Sequence, residues 1–69
     1  MVMEIRKRVG ANVRRIRLDR GVSQEGLADE AGLHRTYISG VERGVRNPTV
    51  TVLERISKAL KVKAGQLLE

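Results

Sequence analysis

Apolar residues recur at helical spacing along most of the chain. Between residues 5 and 16 they are separated by four, four and three positions, at Ile5, Val9, Val13 and Ile16. This spacing predicts one apolar stripe of an amphipathic helix. Arginine and lysine occupy the other sides, Leu18 falls outside the stripe, and Gly21 is a typical C-terminal stop.

Two shorter helices are predicted in the middle of the chain. Ser23 suits the N-cap position of the first, which carries Leu27, Ala28 and Ala31 on one side. The second runs up to Gly44 and has an apolar half (Leu33, Tyr37, Ile38, Val41) and a polar half (Arg35, Thr36, Ser39, Arg43). Gly32 and its immediate neighbours separate the two helices. Two short helices joined by a tight turn form a helix-turn-helix pattern, here at about residues 23–43.

A loop containing Pro48 follows, and Thr49 is a candidate N-cap for a fourth helix. Val52, Leu53, Ile56, Ala59 and Leu60 keep the helical period in that segment. A short final helix is predicted around Ala64, Leu67 and Leu68. We therefore expect an all-α fold, a compact bundle of four to five short helices, with residues 1–69 forming a single domain.

The composition limits the core and the possible cofactors. The 69 residues include one Tyr and neither Phe nor Trp, so the core must be aliphatic. A chain of this length buries only about 60% of its unfolded surface, which favours association with a second copy. The absence of cysteine excludes disulfides and thiolate metal sites. We expect no cofactor and no small-molecule ligand.

Hydropathy and charge indicate the cellular location and the kind of binding partner. The chain has no signal-peptide pattern and no apolar run near the roughly 20 residues that span a bilayer, so we expect a cytoplasmic protein without a membrane partner. Its net charge of +6 and pI near 10.8 favour a polyanionic partner. A merely solubilising surface is the alternative, and charge alone does not decide between them.

These segments together resemble the helix-turn-helix domains of the XRE/Cro type, which are found in phage repressors and small bacterial transcriptional regulators. The resemblance covers nearly the whole chain and rests on "VRRIR", "VSQEGLADEAGL", "RTYISGVERG" and "RNPTVTVLERISKAL". "RTYISGVER" followed by "RN" is also similar to the controller proteins of restriction–modification systems. The resemblance implies a transcriptional regulator that binds double-stranded DNA sequence-specifically, as a homodimer on a palindromic operator.

In such domains the second helix enters the major groove, with its N-terminal residues nearest the bases. Arg35 can then bond guanine bidentately, and Thr36 can contact a base. The alternative is that Arg35 only coats a solvated helix. Ser39 is a candidate for a base or phosphate contact. Tyr37 either places its hydroxyl on a phosphate or is simply a core tyrosine.

Residues around this helix are candidates for contacts to phosphate. The resemblance implies that Gln24, at the start of the preceding helix, holds the DNA backbone, while the alternative is an ordinary polar residue at a helix start. Arg43 and Arg46 can clamp phosphates at the end of the recognition helix, and Arg46 can alternatively extend to a groove edge. Asn47 can cap a helix, form a turn or bind DNA, and the sequence does not decide between these roles.

Two further expectations concern structure. The resemblance implies a salt bridge between Arg17 and Glu42 that ties the first helix to the recognition helix. The C-terminal helices, at about residues 49–68, are the candidate dimer surface, with apolar area from Leu53, Val62, Leu67 and Leu68. The alternative is that these residues only complete the core of the monomer.

Gly40 is unexpected, because a glycine inside a helix costs about 1 kcal/mol relative to alanine. Its position borders the polar and apolar halves, so it makes room either for DNA or for a neighbouring helix. His34, at the N-cap position of the same helix, is a poor cap.

We expect no enzyme activity, because the chain has no cysteine nucleophile, no Ser/His/Asp arrangement and no phosphate-binding glycine loop. The alternative function is an antitoxin-like or other protein-interaction module with the same fold.

Overall fold

The computed structural model describes residues 4–69 and places four α-helices and one 3₁₀ helix in that range. The helices are α1 (Ile5–Asp19), α2 (Gln24–Ala31), α3 (Arg35–Glu42) and α4 (Val50–Leu60), followed by a 3₁₀ helix (Ala64–Leu68). These residues form no β-strand. The predicted all-α bundle with a central helix-turn-helix is confirmed.

The helix boundaries follow from local chemistry. Ser23 Oγ accepts a hydrogen bond from the Gly26 amide at 2.9 Å, and Thr49 Oγ1 accepts one from the Val52 amide at 3.2 Å. Both predicted N-caps are therefore confirmed. His34 stands at the N-cap of α3 without a side-chain cap bond. Gly32 ends α2 in the left-handed conformation (φ +69°), which glycine adopts without the steric penalty of a Cβ.

The core is aliphatic and takes residues from all five helices. Its fully buried members include Val13, Leu27, Ile38, Leu60 and Leu67. Tyr37, the only aromatic residue of the chain, is half-buried and packs against this cluster from outside.

α1 and α3 touch backbone to backbone at Gly10. A Cβ added there would overlap the carbonyl oxygen of Val41 and lie 2.7 Å from that of Glu42. No other residue fits this contact without moving one of the helices.

The expected role of Leu67 at a dimer surface is wrong. Its side chain is completely buried and completes the core of the monomer, so it has no area left for a partner. Asn12 holds the same segment to α1, since its Nδ2 donates to the carbonyls of Leu67 (3.0 Å) and Glu69 (2.8 Å). By contrast, Leu53 and Val62 are half-buried and Leu68 is 44% exposed.

Within residues 4–69, no helix is both long and apolar enough to cross a membrane.

Candidate nucleic-acid interface

The polar half of α3 forms an exposed face, which we call the α3 face. It consists of Arg35, Thr36, Ser39 and Arg43, on the side opposite the buried Ile38 and Val41. These four side chains line one open groove together with Gln24, the first residue of α2. The structure thus brings five of the eight predicted DNA-contact residues into one concave surface.

Ser39 and Arg43 are one helical turn apart and contact each other. Arg43 Nε donates to Ser39 Oγ at 3.3 Å. This weak bond uses only Nε of the guanidinium and leaves its other donors available. Arginine suits a phosphate or a guanine edge because it presents its donors as a planar fork.

A buried ion pair joins the α3 face to the rest of the molecule. Arg17 Nε donates to Glu42 Oε2 at 2.6 Å, and Arg17 Nη2 donates to Glu42 Oε1 at 3.0 Å. The Arg17 and Glu42 side chains are only 8% and 2% exposed. The salt bridge implied by the resemblance is therefore present, in bidentate geometry.

The pair is the centre of a larger network. Arg17 Nη1 also donates to the Val22 carbonyl at 2.9 Å, and Gln24 Nε2 donates to Glu42 Oε1 at 3.1 Å. α1, the loop after it, α2 and α3 consequently share one set of hydrogen bonds. The hydrogen bond with Glu42 raises the pKa of Arg17, while burial opposes the shift, so the guanidinium stays charged.

Arg55 of α4 fixes the turn between α2 and α3. Its Nε donates to the Ala31 carbonyl at 2.9 Å, and its Nη2 donates to the Gly32 carbonyl at 2.6 Å. These carbonyls belong to the end of α2, where helical carbonyls lack internal partners. The sequence does not reveal this role of Arg55, because its partners are backbone atoms 23 and 24 positions away, and no residue type marks them.

Two more predicted contact residues lie beside the groove. The Arg46 guanidinium stands over the Tyr37 ring, 5.8 Å from its centroid, within the range of a cation–π interaction. Asn47 follows in the loop, is exposed, and lines neither this pair nor the groove. In the part of the chain that the structure describes, no three His, Asp or Glu side chains are grouped to hold a metal ion.

A sequence profile of the helix-turn-helix family matches residues 13–67, which include all of α2, α3 and α4. The chain belongs to this family. The resemblance to XRE/Cro-type domains is thereby confirmed.

Similar proteins include two control proteins. C.BamHI from Bacillus amyloliquefaciens is 51% identical over 70 residues, covering 100% of this chain and 86% of that protein. C.SmaI from Serratia marcescens is 46% identical, covering 96% of this chain and 79% of that protein. Among solved structures, the restriction–modification controller protein C.AhdI from Aeromonas hydrophila superposes with a TM-score of 0.88 at 37% identity, covering 90% of this chain and 94% of that one.

Proposed function

We propose that this protein is a transcriptional regulator that binds double-stranded DNA sequence-specifically, as a homodimer on a palindromic operator. We further propose that the regulated genes belong to a restriction–modification system. The observation that carries the DNA-binding proposal is the α3 face, an exposed polar helix surface that the buried ion pair and Arg55 hold rigidly. The similarity to C.AhdI, described as a restriction–modification controller, supports the choice of genes.

The α3 face suits the major groove of B-DNA, which is wide enough to admit one α-helix. Arg35 and Thr36 lie in the first turn of α3 and are exposed, as residues that contact base edges must be. Arg35 donates two hydrogen bonds to a guanine, and Thr36 contacts the neighbouring base. Ser39, one turn later, contacts a base or a phosphate together with Arg43.

Phosphate contacts fix the orientation of the domain on the duplex. Gln24 supplies one such contact from the start of α2, where free amides and the helix dipole also attract phosphate. Its bond to Glu42 holds the side chain at the rim of the groove. Arg43, Arg46 and Asn47 provide contacts on the other side of α3.

Replacing Arg35 tests the assignment of base recognition. Binding sites are first selected from random DNA by the wild-type protein at a stated salt concentration, since phosphate contacts make affinity depend on salt. We expect Arg35→Ala to cost about 1–3 kcal/mol on the selected duplex and to relax preference at one base pair per half-site. Competition binding against single-base variants of that duplex measures both effects.

Lys58→Ala provides a control that removes the same charge elsewhere. Lys58 is 77% exposed on α4, which packs against α1, α2 and the 3₁₀ helix. We expect a small and sequence-independent change in affinity. If Arg35→Ala weakened binding equally on every duplex, Arg35 would be a phosphate contact; wild-type binding insensitive to both sequence and salt would refute the proposed function itself.

A further inference from the structure

The loop after α3 folds back onto Gly40. The amides of Val45 and Arg46 both donate to the Gly40 carbonyl, at 3.0 and 3.2 Å. This reversal requires the left-handed conformation of Gly44 (φ +78°). The Arg46 side chain therefore leaves its backbone directly above the last turn of α3.

The missing Cβ of Gly40 makes room for that side chain. A Cβ built on Gly40 would lie 2.6 Å from Arg46 Cγ, 3.5 Å from its Nε and 3.6 Å from its Cδ. These are the three nearest atoms, and all belong to Arg46. The stem of Arg46 thus occupies the space that a larger residue would fill. The Arg46 amide is hydrogen-bonded to the Gly40 carbonyl, so the backbone of Arg46 is held in place. Arg46 Cγ can therefore avoid a Cβ added at Gly40 only if the Arg46 side chain moves away from α3.

Tyr37 determines where the guanidinium end of Arg46 lies. The ring packs against the aliphatic core on one side, so the core limits its movement. Its π face attracts the guanidinium, whose central carbon is 5.8 Å from the ring centroid. The backbone, the stem and the charged end of Arg46 each have a defined partner, although the residue as a whole is exposed.

We propose that Gly40 and Tyr37 form a seat that positions Arg46 for DNA before the duplex arrives, which makes Gly40 a positioning residue for recognition. The proposal rests on the proposed function, because Arg46 is assigned there as a DNA contact. An arginine that is already ordered loses less conformational entropy when it binds, and this gain appears as affinity. The Arg46 side chain therefore fills the space left by the missing Cβ of Gly40. Contact with a neighbouring helix or with the duplex is not needed to explain why a glycine stands at this position.

A double-mutant cycle on the duplex selected by the wild-type protein tests the proposal. We expect Gly40→Ala to weaken binding roughly three- to tenfold, by displacing Arg46 and ordering it less well. In the Arg46→Ala background, the same Gly40→Ala substitution should leave the affinity unchanged. An equal loss in both backgrounds would mean that the added methyl group meets the DNA, and no loss in either would remove Gly40 from recognition; both results overturn the proposal.

A measurement without DNA separates this proposal from the proposed function. Because Arg46 stands over the ring, we expect the Tyr37 ring current to shift the NMR signals of the Arg46 side-chain protons upfield in the wild-type protein. Tyr37→Phe, which keeps the ring, should retain the shift, whereas Gly40→Ala should abolish it while the thermal unfolding midpoint is maintained or raised. An unshifted Arg46 in the wild-type protein overturns the seat, even if the DNA binds. A wild-type protein that shows the shift but selects no binding site from random DNA refutes the proposed function instead.

Discussion

Arg17 and Glu42 are each other's counter-ion. Both side chains are almost completely buried, so water cannot replace a missing partner. Such a pair adds little net stability compared with apolar residues of similar size, but removing one member leaves an uncompensated buried charge. Its value here is positional, since it joins α1 to α3, two helices that also touch backbone to backbone at Gly10.

Arg17→Met should therefore be strongly destabilising. We expect the free energy of unfolding to fall by about 3–5 kcal/mol, because Glu42 stays buried without its counter-ion. The double variant Arg17→Met/Glu42→Leu should recover most of this loss. Urea unfolding followed by circular dichroism measures all three proteins.

Arg20→Met is the matched control, since Arg20 follows α1 and is exposed. Its unfolding free energy should stay close to that of the wild type. An Arg17→Met protein with unchanged stability and unchanged DNA affinity would show that the buried pair positions nothing.

A structural feature could be predicted from the sequence when the residues that interact lie close together along the chain. The apolar stripe of α1 and the caps Ser23 and Thr49 use partners within four positions, so a local pattern contained them. Gly10 and Arg55 act on backbone atoms more than twenty positions away, and nothing in the neighbouring sequence indicates such a partner. Leu67 illustrates the same limit, because an apolar residue near a terminus fits a core or an interface equally well.

Arg55→Met should loosen the turn between α2 and α3. It removes two hydrogen bonds from a charged donor. A hydrogen bond of this kind contributes about 1.5–3 kcal/mol to the free energy of unfolding where it is buried, and less where it is exposed. We expect a loss of about 1–3 kcal/mol and faster hydrogen exchange at the Leu33 amide, which donates to the Ala28 carbonyl at 2.8 Å. Arg55→Lys should restore only part of the loss, because an ammonium cannot reproduce the planar fork.

Lys58→Met, one turn further along α4, is the control for exchange, since its side chain bonds no backbone carbonyl of the described residues. Unchanged exchange at Leu33 in Arg55→Met would show that the turn holds its conformation without α4.

Residues 4–69 carry one recognition helix, and the Cα extents of the molecule are 34 × 22 × 21 Å. Successive major grooves on one side of B-DNA are about 34 Å apart. A single copy therefore presents α3 to one groove only, and the palindromic operator that we propose would require a second copy related by a two-fold axis. The partly exposed apolar residues Leu53, Val62 and Leu68 supply our proposed contact between the copies.

Leu68→Glu should weaken association while preserving the fold. The side chain is 44% exposed, so the monomer can accept a carboxylate, but a two-fold contact would bring two such charges together. We expect the dimer dissociation constant to rise at least tenfold, which is about 1.4 kcal/mol. Sedimentation equilibrium over a range of protein concentrations measures it.

Val50→Glu introduces the same charge at an 83% exposed position of α4 and should leave association unchanged. If Leu68→Glu dimerised as tightly as the wild type, the contact between the copies would have to lie elsewhere.

The place of Tyr37 also has a spectroscopic consequence. It is the only aromatic residue in a chain without tryptophan, and it lies beside the α3 face under the Arg46 guanidinium. All ultraviolet-excited emission of the protein therefore originates at the surface proposed to meet DNA. Quenching of that emission reports occupancy of this one surface directly, without a label and without background from the rest of the fold.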